Sequence, residues 1–179
     1  MLNAEVSKRR DHAISRGVGM MTQIYVDRAL NSEVWDIEGN RYIDFAAGIA
    51  VVNTGHCHPR VMAAVTEQMS RFTHTCAQVL PYENYIRLAE RLNSLTPGDF
   101  PKKTVFVTTG VEAVENAIKI ARIHTGRNAV IAFGGAFHGR TFMGMSLTGK
   151  VEPYKKGFGA MMPDVYHVPF PQEVTYLHR

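Results

Sequence analysis

Thr104-Val105-Phe106-Val107-Thr108-Thr109-Gly110-Val111-Glu112-Ala113-Val114-Glu115-Asn116-Ala117-Ile118-Lys119-Ile120-Ala121-Arg122 is the stretch that decides how this chain is read. Its first four residues are β-branched or aromatic, which suits a short buried parallel strand. The chain then turns through Thr-Thr-Gly and takes up helical periodicity. Ala113, Ala117 and Ala121 recur at every fourth position, and Val114, Ile118 and Ile120 widen the stripe that would face a sheet. Glu112 and Glu115 fall in the first turn, where the helix dipole favours acids, and Gly126 is placed to end the helix. A strand, a tight glycine turn and a helix N-terminus make an anion site, because the first backbone N–H groups lack intrahelical acceptors. Read alone, the stretch also fits an ordinary strand-helix junction.

The segment that follows adds chemistry. Val130-Ile131-Ala132-Phe133 reads as a second strand and leads into Gly134-Gly135-Ala136-Phe137-His138-Gly139-Arg140-Thr141. Strands joined through a helix run parallel, so both carboxyl ends open on one edge. An aromatic-histidine pair and an arginine there would face the anion site. A ring beside a phosphate cradle points to a flat heterocycle that carries a phosphate.

With these residues in view, the chain resembles the class III, pyridoxal-phosphate-dependent aminotransferases. The resemblance rests on Thr108–Ala117 and on Phe137-His138-Gly139-Arg140-Thr141. Arg16-Gly17-Val18-Gly19, Asp44-Phe45-Ala46-Ala47-Gly48-Ile49-Ala50-Val51 and Asn53-Thr54-Gly55-His56 are most similar to the bacterial 4-aminobutyrate branch. It extends to about Pro171.

The resemblance implies an α/β fold: part of the large domain of a fold type I pyridoxal-phosphate transferase. Residues 1–55 would be an N-terminal arm and hairpin belonging to the small domain, and residues 56–179 the first part of the large domain. The implied cofactor is pyridoxal 5'-phosphate. Its phosphate would sit on the Gly110 and Val111 amides, Phe137 would stack on its ring, and His138 would lie beside it. Ile49 and Gln78 would line the substrate pocket, and Arg140 would clamp a substrate carboxylate. A planar guanidinium meets a carboxylate bidentately, although a structural salt bridge is the other reading of Arg140. The implied reaction moves the amino group of an ω-amino acid, such as 4-aminobutyrate, to 2-oxoglutarate.

Two departures stand against that pattern. Val111 occupies a position where the 4-aminobutyrate branch usually has serine, so a hydroxyl donor to phosphate is lost. The family's Schiff-base lysine belongs to a motif downstream of Arg179, so no catalytic residue is assigned within the chain, and Lys150, Lys155 and Lys156 take no role. The expectation is an N-terminal fragment, inactive alone, of an enzyme that is a homodimer or homotetramer. The alternative is a non-catalytic or partner-binding piece.

Bulk properties agree with an ordinary globular chain: 179 residues, 45% hydrophobic and 20% charged. A net charge of +4, with basic residues scattered apart from Lys8-Arg9-Arg10 and Lys155-Lys156, argues against a nucleic-acid face. Two cysteines, Cys57 and Cys76, cannot build a disulfide framework and fit a reducing cytoplasm. No apolar run reaches membrane-spanning length, and no signal-peptide core opens the chain.

In order, the sequence predicts a short N-terminal helix and an irregular arm, then strands at Ile24–Val26, Glu33–Ile37 and Arg41–Phe45 around an Glu38-Gly39-Asn40 turn. Ala46–Gly55 reads as a loop passing close to a ligand. Pro59 opens a helix with an apolar stripe of Val61, Val65, Met69 and Phe72, and Tyr82–Leu95 forms another. Residues 141–149 begin helically, 152–162 read as loop, and Val165–Val168 as a third strand. Two decoys can be set aside. Gly144–Val151 has P-loop spacing but puts Val151 where a magnesium-binding hydroxyl is needed. His56, Cys57, His58, His74 and Cys76 match no closed zinc spacing, so no metal is expected.

Overall fold

The computed structural model describes residues 1–171. Residues 172–179 of the expected large-domain segment lie outside them. The chain forms two compact units, Met1–Pro81 and Tyr82 onward. The family resemblance places its domain boundary earlier, after residue 55.

The first unit starts with helix α1 (Asn3–Ala13) and a three-stranded antiparallel meander of β1 (Val26–Leu30), β2 (Glu33–Asp36) and β3 (Arg41–Ile43), in spatial order β1-β2-β3. The hub is Asp36, only 2% exposed. Its carboxylate accepts from the amides of Glu38 (3.0 Å) and Asn40 (2.8 Å), and from Asn40 Nδ2 (3.0 Å), the Tyr42 hydroxyl (3.1 Å) and Asn3 Nδ2 (2.9 Å). Burial alone would raise its pKa, but these donors, led by Asn40 and Asn3, win and lower it to about 2. One carboxylate thus closes the β2–β3 turn, where Gly39 takes φ 87, and ties α1 to the sheet.

The first strand begins later than the sequence suggests. Tyr25 is held outside the ladder, its amide donating to Asn3 Oδ1 (2.9 Å) and its carbonyl accepting from the Ile37 amide (2.9 Å). Pairing with β2 instead runs on to Leu30 along a mostly exposed edge, with a register shift at Asp27 between Val26 and Arg28. The third strand stops at Ile43 because Asp44 turns away. Its carboxylate accepts from the Ala46 (3.0 Å) and Ala47 (2.8 Å) amides and meets His56 Nε2 at 2.7 Å. The His56 contact, followed by the Ala47 amide, lowers the Asp44 pKa. The loop expected after it contains α2 (Ala47–Ala50), a single turn wound left-handed, with φ of 44° at Ala47, 64° at Gly48, 59° at Ile49 and 61° at Ala50. Helix α3 (Pro59–Arg71) follows, with Pro59 in its first turn. Its stripe of Val61, Val65 and Met69 is exposed and lines an open groove of about 890 Å³.

The second unit contains α4 (Glu83–Leu95), α5 (Gly110–Thr125), β4 (Val130–Phe133), α6 (Phe142–Leu147) and β5 (Val165–Val168). β4 and β5 pair in parallel, from Val130 opposite Val165 to Phe133 opposite Val168. Buried Ala132, Met143 and Leu147 form the core, with Val114, Ile118, Val130 and Val165 packed around them. This is the strand-helix-strand layering expected of an α/β unit. One expected strand is missing: residues 104–107 join no ladder. The segment lies against α4 instead, with the Phe106 ring 4.8 Å from that of Tyr85 and the Thr104 hydroxyl donating to Asn93 Oδ1 (2.7 Å). Its composition suits a strand, but no described strand pairs with it, and a strand is defined by its partner.

Candidate functional site

The N-terminus of α5 is built as an anion cradle. Thr109 is the N-cap, its hydroxyl accepting from the Glu112 amide at 3.2 Å. Glu112 reaches back, and its Oε2 accepts from the Thr108 (2.7 Å) and Thr109 (2.8 Å) amides. That capping box satisfies the donors on either side and leaves two. Among the described residues the amides of Gly110 and Val111 have no acceptor. The space beside Gly110 is open, since a Cβ built there would meet nothing within 4 Å. Sixteen helical residues stand behind these amides, enough for the dipole to reinforce them.

The loop after β4 is pressed onto this end of the helix. A Cβ at Gly139 would lie 2.5 Å from Val111 Cβ, and one at Gly144 would lie 2.7 Å from Val111 Cγ2. Val111 therefore packs its side chain under the loop. Valine in place of the usual serine fills space there, and the backbone amide remains available. The loop is anchored from the other side by Thr148, fully buried, whose hydroxyl accepts from the His138 amide (3.0 Å) and donates to the Gly144 carbonyl (2.8 Å). The Gly149 amide donates to the Ala136 carbonyl at 2.8 Å. A Cβ at Gly149 would sit 2.8 Å from the Phe133 carbonyl oxygen, so only glycine passes there. The run that mimics a P-loop thus holds the loop in place: Gly144 to Leu147 lie in α6 and Thr148-Gly149 are its anchors.

The second unit thus gathers Gly110, Val111, Phe137, His138 and Arg140 around one helix end. The Phe137 ring is half exposed and rests 5.1 Å from the Tyr154 ring at a tilt of 54°. The Arg140 guanidinium stands 6.0 Å from the same tyrosine ring. Among the described residues no carboxylate pairs with Arg140, so the salt-bridge reading finds no partner there. Ile49 and Gln78 belong to the first unit. Ile49 lies in the left-handed turn with its side chain 86% exposed, and Gln78 is exposed in the turn that Cys76 opens at φ 55.

Sequence reasoning missed Thr148, Gly149 and Tyr154. The first two lay in the rejected P-loop match and the third in a segment read as plain loop. The alternation of Gly135, Gly139, Gly144 and Gly149 around one loop was the signal available. No cluster of described residues is suited to hold a metal ion, and no described helix is long and apolar enough to cross a membrane.

Comparison with known proteins points to one family. The model of the class III aminotransferase family matches residues 13–178. Over 172 residues the chain is 58% identical to 5-aminovalerate aminotransferase DavT of Pseudomonas aeruginosa, covering 96% of this chain and 40% of that protein. It is 57% identical over 169 residues to 4-aminobutyrate aminotransferase GabT of Escherichia coli, covering 94% of this chain and 40% of the relative. Among solved structures, taurine:2-oxoglutarate aminotransferase of Bifidobacterium kashiwanohense, in complex with PLP and glutamate, superposes with a TM-score of 0.84 at 25% identity, over 96% of this chain and 39% of that one. The chain therefore spans about 40% of the length of the curated relatives it matches. Two unpaired amides at a helix start, a glycine-threaded loop bearing Phe-His-Gly-Arg, and a family match across almost the whole sequence converge, and the chain belongs to the class III aminotransferases.

Proposed function

We propose that this chain supplies the phosphate cradle, ring platform and carboxylate clamp of a pyridoxal-phosphate-dependent aminotransferase acting on an ω-amino acid. The observation that carries the reading is the pair of unengaged amides at Gly110 and Val111, with Phe137 and Arg140 on the loop packed over Val111. The residues fit the cofactor. A phosphate takes two N–H donors at the positive end of α5, and the open space beside Gly110 admits it. Phe137 offers an exposed aromatic face to a pyridine ring. When bound, pyridoxal phosphate supplies the electron sink that the reaction needs.

The chain's own residues bind and orient. The Gly110 and Val111 amides fix the phosphate, and Phe137 sets the plane of the ring, with His138 beside it. Arg140, exposed and without a carboxylate partner among the described residues, takes the carboxylate at the far end of the amino donor by a bidentate contact. The family resemblance also names Ile49 and Gln78, which belong to the first unit, as substrate-lining residues. The similar proteins act on 5-aminovalerate and 4-aminobutyrate, which carry the amine and the carboxylate at opposite ends, and this supports an ω-amino acid as donor. The solved taurine:2-oxoglutarate enzyme supports 2-oxoglutarate as acceptor. The two exposed free cysteines, Cys57 and Cys76, suit a reducing cytoplasm. A homo-oligomer, dimer or tetramer, follows from the family reading.

The test is a binding comparison. The chain should bind pyridoxine 5'-phosphate, which lacks the aldehyde and cannot react with surface lysines, at least several-fold more tightly than inorganic phosphate in equilibrium dialysis. Phe137→Ala should erase that preference and leave phosphate binding in place. Equal affinity of the unaltered chain for the two ligands would sink the reading.

A further inference from the structure

The residue that links the two halves of the candidate site is Tyr154, which the family signatures do not include. It lies on the segment after α6, where Lys155 Nζ donates to the Ser146 carbonyl at 3.3 Å and so moors the neighbouring residue to the core helix. The Lys155 and Lys156 amides both donate to the Val151 carbonyl, the first at 2.7 Å, which closes the segment into a turn around Tyr154. From this mooring the half-buried Tyr154 ring touches the Phe137 ring at 5.1 Å and faces the Arg140 guanidinium at 6.0 Å. Phe137 and Arg140 are themselves exposed, and among the described residues no side-chain hydrogen bond or ion pair holds either of them. Without the tyrosine both would sample several rotamers, and ordering them would weaken any ligand contact they make.

We propose that Tyr154 is a positioning residue: its ring fixes the Phe137 ring for cofactor stacking and holds the Arg140 guanidinium for the substrate carboxylate. The proposal deepens the functional reading above and rests on it for the ligand, while the contacts themselves do not. The ring carries the effect. A tilted aromatic pair and a cation over a ring face both survive replacement of tyrosine by phenylalanine and are lost with an aliphatic side chain. The hydroxyl is dispensable.

Three variants separate the outcomes: Tyr154→Phe, Tyr154→Leu and Tyr154→Ala. Leucine keeps apolar bulk and guards against a collapse that alanine could cause. Pyridoxine 5'-phosphate and inorganic phosphate are titrated against each by equilibrium dialysis. Tyr154→Phe should match the unaltered chain. Tyr154→Leu should bind pyridoxine 5'-phosphate about 3- to 10-fold more weakly, the range expected for one lost aromatic contact. Its affinity for inorganic phosphate should be unchanged, because the Gly110 and Val111 amides are untouched. Parallel loss of both ligands would mark a merely structural role and overturn the proposal, as would equal binding by all variants. A second readout needs no cofactor: the rate at which phenylglyoxal labels Arg140, followed by peptide mapping. It should rise several-fold in Tyr154→Leu and Tyr154→Ala and stay unchanged in Tyr154→Phe. Identical rates throughout would overturn the link to Arg140. If the unaltered chain fails to prefer pyridoxine 5'-phosphate while the labelling rates follow the ring, the functional reading fails and the positioning of Arg140 stands.

Discussion

Asp36 shows how much a single side chain organises in the first unit. It joins α1, the β2–β3 turn and Tyr42 through five donors, and its pKa falls to about 2 even though burial opposes the charge. The native value lies below the ordinary carboxylate value, so the stability it contributes is complete above about pH 4. It is lost as pH falls through about 2, when the folded state must also take up the proton. Thermal melts followed by circular dichroism should therefore show a steep acid limb between about pH 4 and pH 2. Asp36→Asn should flatten that limb while lowering stability at neutral pH, and parallel limbs for the two proteins would refute the assignment. None of this was legible in the sequence. Asp36 closes a hairpin strand like many turn aspartates, and its partner Asn3 lies 33 residues earlier, beyond the reach of any local pattern. Gly110, Phe137 and Arg140 were legible, because a turn glycine before a helix and an aromatic-His-Gly-Arg run are local signals. Tyr154 was not, since only the folded segment brings it to them.

Among the elements, α5 was the most readable and β1 and residues 104–107 the least. The helix announces both its ends: Thr109 and Glu112 three residues apart form a capping box, and Gly126 takes φ 66 at the C-cap. Thr109→Ala removes the acceptor of the Glu112 amide and should cost about 1 kcal/mol. Chemical denaturation would show it as a lowered midpoint with an unchanged slope. A change under about 0.3 kcal/mol would mean that Glu112 alone holds this end. Strands carry no such private signal. Val105, Phe106 and Val107 have the right residues and no ladder, whereas Arg28 is a poor strand residue and does pair, opposite Trp35, because β2 lies alongside. Hydrophobic alternation reports a face, and pairing is decided by the neighbour. The α3 stripe makes the same point: its period is helical, but the face it defines remains exposed in the first unit.

At the scale of the whole chain, few apolar side chains are fully buried. Ala132, Met143, Met145 and Leu147 are the buried hydrophobic residues among those described, while Phe45, Ile123, Val105 and Met69 are well exposed. A chain spanning about 40% of its relatives' length leaves open surface that other residues would cover in a chain of theirs. It should bind a hydrophobic dye such as anilinonaphthalene sulfonate strongly at neutral pH. Fluorescence no greater than that of a tightly packed control protein of similar size would contradict this. The parallel pairing of β4 with β5 carries a further consequence, for synthesis. Val130 meets Val165, so β4 leaves the ribosome 35 residues (165 − 130) before its partner does. At ordinary elongation rates that interval lasts about 2 to 7 s. The β1-β2-β3 meander, by contrast, closes over neighbouring residues as they emerge. Ribosome-bound chains ending at Phe133 plus a tunnel-length tail should be cleaved within β4 by a protease that spares it in chains ending at Pro171 plus the same tail. Equal cleavage would show that β4 finds shelter without β5. The order of birth, more than the order of stability, then sets when this unit is most vulnerable to a chaperone or to a wrong partner.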